Sequence, residues 1–179
     1  MSRDDWRSTA TGPASETRKS GRALRTGMKT GTFLVTEADE ETAVLRDVDG
    51  GQVHALAENP GVEAGEVVDA TVEAEPPLEV AWRVVELEDR RTVTVEESPE
   101  PPTRQEQQLA ADQPVGGVTR QERAGDGELH VLTVPEDDTE QAVADVRDDP
   151  AIRERAARLG VERVEIRSRA GVVSVRYLP

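Results

Sequence analysis

The chain has 179 residues, no cysteine and a formal net charge of −15. That length fits one or two small domains, and the missing thiols exclude a disulfide framework, Cys-ligated zinc and a thiol nucleophile. No apolar run approaches the roughly 20 residues of a membrane span and no apolar signal segment opens the chain, so the expected location is the cytoplasm, with no membrane partner.

Charge divides the chain into three parts. Residues 1–27 hold six Lys/Arg against three Asp/Glu, residues 28–149 hold nine against thirty-one, and residues 150–179 hold seven against three. The first part is rich in Ser, Thr, Arg and Gly, with Trp6 and Leu24 almost its only large apolar side chains beyond Met1. Burial there cannot offset the entropy of ordering, so residues 1–27 are expected to be a disordered basic tail. The alternative is a gene-start artefact, with Met28 the true start.

Residues 30–96 read as a small all-β barrel of the OB or SH3-like kind. Apolar and polar residues alternate through Thr32–Thr36, and Ala43–Val48, Val53–Leu56, Val67–Ala74, Leu78–Leu87 and Thr92–Val95 follow as short runs bounded by turn residues. Asp49-Gly50-Gly51 suits a hairpin. Leu78, Val80, Trp82 and Val84 share one face by the period of two and are assigned to the barrel interior.

Residues 97–102 form a Pro-rich linker. Residues 103–179 read as an α+β domain: a four-stranded antiparallel sheet with helices on one face. Thr103 and Glu106 make a capping box for a short helix. Val118–Ala124 and Glu128–Val134 pair as a hairpin. Asp138 caps a second helix, with Gln141 three residues on. Asp149-Pro150 caps a third that buries Ile152, Ala156 and Leu159 and stops at Gly160. A last hairpin turns at Ala170-Gly171. That register sets Val164 opposite Tyr177, Ile166 opposite Val175 and Ser168 opposite Val173 on one side, and Glu165 opposite Arg176 on the other.

The composition points to a salt-rich cytosol. A net charge this large destabilises a compact chain by self-repulsion, and molar salt shortens its range to about 3 Å. Lys19 and Lys29 are the only lysines, so little exposed hydrocarbon is carried on long basic stems. Val and Ala, with few aromatic side chains, make a core that gains from salt.

Chemistry-bearing residues are few. His54 and His130 are the only histidines, and a metal or acid–base role requires them to meet across the two domains; separate structural roles are the simpler expectation. The acidic runs, such as Asp39–Glu41 and Asp148-Asp149, sit in solvated loops where no divergence of pKa values is expected. The stretch Gly21–Thr30 lacks the spacing and the strand–helix setting of a phosphate loop, and none of Ser98, Ser168 and Ser174 sits on a nucleophile elbow. No catalytic residue, cofactor or metal is assigned. The candidate interaction surface is the arginine cluster of the last hairpin, Arg163, Arg167, Arg169 and Arg176, which faces away from the apolar side. It suits phosphate or RNA contact, or pairing with carboxylates of this chain or a partner.

The stretches GTFLVTEAD, AVLRDV, GQVHALAENPGVEAGEVV, GELHVLTVP and VVSVRYLP resemble a small acidic protein family of haloarchaea described as a domain of unknown function. The resemblance runs from about Met28 to Pro179. It implies an archaeal, halophilic cytoplasm and brings no activity, cofactor or catalytic residue. The expectation for function is a non-enzymatic module that binds a protein partner or a second copy. The alternatives are a nucleic-acid-associated protein, using the barrel face near Trp82 or the arginine face, and an enzyme of unassigned class.

Overall fold

Strands of alternating burial build the first half of the molecule: β1 (Met28–Ala38), β2 (Ala43–Asp47), β3 (Val53–Leu56), β4 (Glu66–Ala74) and β5 (Trp82–Thr92). The computed structural model describes residues 27–179 except 124 and 126, so the basic tail lies, apart from Gly27, outside the described residues. The five strands pair in the order β1-β2-β3-β5-β4, and β4 returns to β1. The pairings are antiparallel except for β3 with β5, which meet in parallel at a single residue pair, Leu56 and Trp82. Phe33, Val35, Leu45, Leu56, Val68 and Val72 fill the interior, where burial contributes about 25 cal/mol per Å² of apolar surface. The β2–β3 turn is held by the Asp47 carboxylate, which accepts from the backbone N–H groups of Asp49 and Gly50 at 2.8 and 2.9 Å. Gly51 takes a φ of +68°, which a side chain would disfavour.

Leu78 and Val80 are not in that interior. They are 76% and 74% exposed, on the connection between β4 and β5. The prolines at 76 and 77 cannot donate to a ladder, so β5 starts only at Trp82. Trp82 and Val84, the other two residues of the expected face, do pack on the interior cluster.

The second sheet has five strands, not four, and is not wholly antiparallel. β6 (Thr94–Glu97), β7 (Val118–Glu122), β8 (Glu128–Thr133), β9 (Arg163–Arg169) and β10 (Val172–Leu178) lie in the order β6-β9-β10-β8-β7. The added strand is β6, expected at the end of the first sheet, which runs parallel to β9. The N–H of Thr94 donates to the carbonyl of Glu162, and that of Ser98 to the carbonyl of Ile166, both at 2.8 Å. The β9–β10 register is the expected one, with Val164 opposite Tyr177, Ile166 opposite Val175 and Glu165 opposite Arg176.

Helices cover both faces of this sheet rather than one. α1 (Arg104–Ala111) lies over Leu129, Val131 and Val172 through Leu109 and Ala110. α2 (Thr139–Asp148) and α3 (Pro150–Leu159) lie over Val164, Ile166, Val173, Val175 and Tyr177 on the other side. The physical reason is β8: Leu129 and Val131 point one way and Leu132 the other, so both faces need cover. Thr103 and Glu106 form the expected capping box, Asp149 accepts from the N–H of Ala151, and Gly160 ends α3 at a φ of +71°. Asp138 makes no capping hydrogen bond. Thr139 does the fastening there: its hydroxyl donates to the Glu136 carbonyl at 2.8 Å and accepts from the Gly171 N–H at 2.9 Å.

The two sheets share apolar packing. Leu34, Val48, Val67 and Val93 belong to the same buried cluster as Val143, Ala156, Ala157 and Val161. Polar bonds from α3 reinforce this contact: the Arg158 guanidinium donates to the Val48 carbonyl, and Glu154 pairs with Arg46 at 3.1 Å.

Candidate functional site

Alternation along β9 and β10 places Arg163, Arg167, Arg169 and Arg176 on the sheet face covered by α1, opposite Val164, Ile166 and Tyr177. Glu165 stands at their centre, 7% exposed. Its carboxylate accepts from Arg167 Nε at 2.5 Å and Arg176 Nη1 at 2.9 Å, and lies 3.5 Å from Arg163 Nη2. Burial alone would raise its pKa; the hydrogen bonds from Arg167 and Arg176 outweigh burial and hold the carboxyl below the ordinary glutamate value.

The remaining donors of these arginines turn to one stretch of the chain. Arg163 Nε donates to Glu96 at 2.6 Å, and Arg167 pairs with Glu100 at 2.7 Å. Arg169 Nη1 donates to the Gln107 side chain at 2.8 Å. Arg176 Nε lies 3.3 Å from the carboxylate of Glu106, which is buried and accepts from the Thr103 N–H at 2.6 Å. Arg163, Arg167 and Arg176 thus meet at Glu165, Arg169 stands apart at the end of β9, and each of the four engages residues of β6, the Pro-rich segment or α1. The Glu165–Arg176 pair was readable from the hairpin register. Glu96, Glu100 and Glu106 were not, because a parallel strand leaves no turn signal to place them.

The two histidines are not brought together. His54 sits inside the ring of β1–β5, with Phe33 at 5.6 Å and Trp82 at 4.3 Å between ring centroids, both edge-on. His130 lies on β8, its ring 5.0 Å from that of Tyr177 and its Nε2 3.3 Å from Glu128. Arg155 of α3 donates twice to Glu128, at 2.6 and 2.9 Å, and these bonds hold the Glu128 carboxyl below its ordinary value against the effect of burial. Burial pushes the Tyr177 hydroxyl up to about 12. The group is an ionic cluster under α3, its buried carboxylate held by one guanidinium with the His130 ring beside it. Among the described residues, no group of three or more His, Asp or Glu side chains is arranged to hold a metal ion.

A cleft of about 460 Å³ opens between the start of α1 and the ends of β7 and β8. Arg104, Arg123 and Arg176 line it together with Glu106 and Glu122, so it presents both signs of charge and no field of one sign. The apolar surface that the sequence did not announce is elsewhere. Leu78 and Val80 stand on a connection fixed by two backbone bonds, from the Glu75 N–H to the Ala81 carbonyl at 2.8 Å and from the Glu79 N–H to the Glu75 carbonyl at 2.9 Å. The parallel pairing of Leu56 with Trp82 puts Val53, 55% exposed, towards the same end of the first sheet. Glu75 precedes the two apolar residues in sequence and Glu79 stands between them. Arg83, the nearest cation along the chain, is taken up by Glu73 at 2.7 Å.

No helix among the described residues is long and apolar enough to cross a membrane. No curated protein and no solved structure matches this chain. A family of unknown function (DUF5812) matches residues 29–168, which span the first sheet, all three helices and the second sheet as far as β9, leaving the stretch VVSVRYLP beyond the matched region. By that match over most of its length, the chain belongs to this family of unknown function.

Proposed function

We propose that this protein is a non-enzymatic interaction module of a salt-rich cytoplasm, built on a small β-barrel, and that it docks a protein partner through the apolar apex at Leu78 and Val80. The observation that carries this reading is the exposure of these two side chains, 76% and 74%, on a connection tied at both ends by backbone hydrogen bonds. Exposed hydrocarbon is costlier in concentrated salt, and a chain with so few large apolar residues gains nothing in its own fold from these two. The neighbouring Glu75 and Glu79 favour a partner whose apolar socket is rimmed with Lys or Arg.

The arginine face supports the same reading by subtraction. Arg167 and Arg176 are turned inward onto Glu165, Glu100 and Glu106, and a phosphate backbone would have to displace those carboxylates. Affinity capture at molar KCl, with and without nuclease, tests the proposal when wild type is compared with a Leu78→Asp/Val80→Asp variant. A protein retained by wild type after nuclease and lost from the variant is the expected result. Capture that survives the double substitution, or that nuclease abolishes, overturns it.

A further inference from the structure

We propose that His54 is an acid-sensitive latch: protonation of its buried ring opens the seam between β3 and β5 while the second sheet stays folded. His54 is fully buried, and among the described residues neither ring nitrogen has a hydrogen-bond partner. A neutral imidazole always carries one N–H donor and one lone pair, so two polar functions are held dry in an apolar interior. A second proton would add an unpaired charge to the same place, which an interior of this kind does not tolerate.

The surroundings offer the charged ring no rescue. β1 contributes Phe33 and Lys29, β2 contributes Leu45 and Asp47, and β5 contributes the indole of Trp82. Lys29 and Asp47 are paired with each other, and neither bonds to the imidazole. Their influences on its proton oppose: Lys29 disfavours the charged ring and Asp47 favours it. Burial is the largest influence and holds the His54 pKa below the ordinary histidine value.

The seam lies beside the ring. Trp82, whose indole packs edge-on against His54, is also the β5 residue through which β3 and β5 meet. That junction is one residue pair, with the Ala57 N–H donating to the Trp82 carbonyl at 2.9 Å. Every other neighbouring pair in the ring is joined through four residue pairs or more. The connection leading into Trp82 can move without uncovering core, because its apolar residues Leu78 and Val80 are already outside. Parting β3 from β5 therefore breaks the fewest bonds and lets the imidazolium reach water.

The open state binds the proton at about pH 6.5, the closed state only at lower pH. The closed seam is at full stability above about pH 6.5 and loses it as the pH falls, by up to about tenfold in the opening equilibrium per pH unit.

Amide hydrogen exchange on the full chain in molar KCl, from about pH 7.5 to about pH 5, tests this. In a His130→Gln background, which removes the buried histidine of the second sheet, the protection factor of the Ala57 amide should fall by up to about tenfold per pH unit below about pH 6.5, with Val164 and Ile166 in β9 unchanged. With His54→Leu added the Ala57 value should stay flat. The same slope with His54→Leu, a flat profile with His54 in place, or equal loss in both sheets overturns the proposal. Should His54→Leu fail to fold, the imidazole NMR signals of the wild type decide. Titration of the ring together with Ala57 exchange supports the latch, whereas titration near pH 6.5 with Ala57 still protected overturns it.

Discussion

Glu165 and Arg163 show how unequal the members of one ionic network are. Glu165 is buried and receives two guanidinium groups, so Glu165→Gln leaves Arg167 and Arg176 partly buried and short of charge. Removing one partner of a buried pair costs about 3 kcal/mol, and urea unfolding at molar KCl should show a loss of that order. The Arg163 side chain is 53% exposed, and Arg163→Ala should cost less than about 1 kcal/mol. Equal losses for the two substitutions would contradict the burial argument. Glu165 and Glu128 also set a limit on acid stability. Their folded pKa values lie below the ordinary glutamate value, so their contribution is complete above about pH 4.5 and disappears as the pH falls further. That loss comes at lower pH than the histidine latch, and an acid titration followed by near-ultraviolet circular dichroism should resolve two steps.

At the scale of the element, the parts of the fold that were readable are those with local punctuation. The capping box at Thr103 and Glu106, the Asp149-Pro150 start and Gly160 stop of α3, and the β9–β10 register all come from residues close in sequence. What was not readable depends on distant partners. β6 pairs with β9 across more than 60 residues, and its alternating pattern fits either sheet equally well. α1 carries only Leu109 and a few alanines as an apolar stripe, too little to announce which face it covers. Leu78 and Val80 kept the period of two that marks an inward face, but the prolines before them withheld the ladder that would have turned them in. The arginine face was visible as a group, and the residues that occupy it were not. α1 nevertheless fixes Glu106 and Gln107 over that face. Thr103→Ala removes its cap and should destabilise the protein by about 1 kcal/mol, read in the same urea series.

For the whole molecule, the shared cluster of Leu34, Val48 and Val67 with Val143, Ala156 and Val161 predicts cooperative unfolding at neutral pH. Trp82 reports on the first sheet and Tyr177, the only tyrosine, on the second. In a Trp6→Phe background, indole fluorescence and tyrosine absorbance should give the same urea midpoint; separate midpoints would mean that the shared packing does not couple the halves. Dilution of salt should act on the entire fold at once. With a net charge of −15, lowering KCl from about 3 M to about 0.05 M lengthens the screening distance several-fold, and circular dichroism should show loss of both strand and helix signal. An unchanged spectrum would contradict the proposed salt-rich habitat.

The position of β10 in the middle of its sheet has a consequence for how the chain matures. The strands flanking it, β8 and β9, have no pairing with each other, so they are joined only through the segment made after both. During synthesis β1 to β5 can close early, since they are contiguous along the chain. The later half must wait for β10, because until then α2 and α3 lack Val173, Val175 and Tyr177 beneath them. A chain truncated before Val172 should therefore have a settled front and an exposed rear, and hydrogen exchange on the truncated product would show the division.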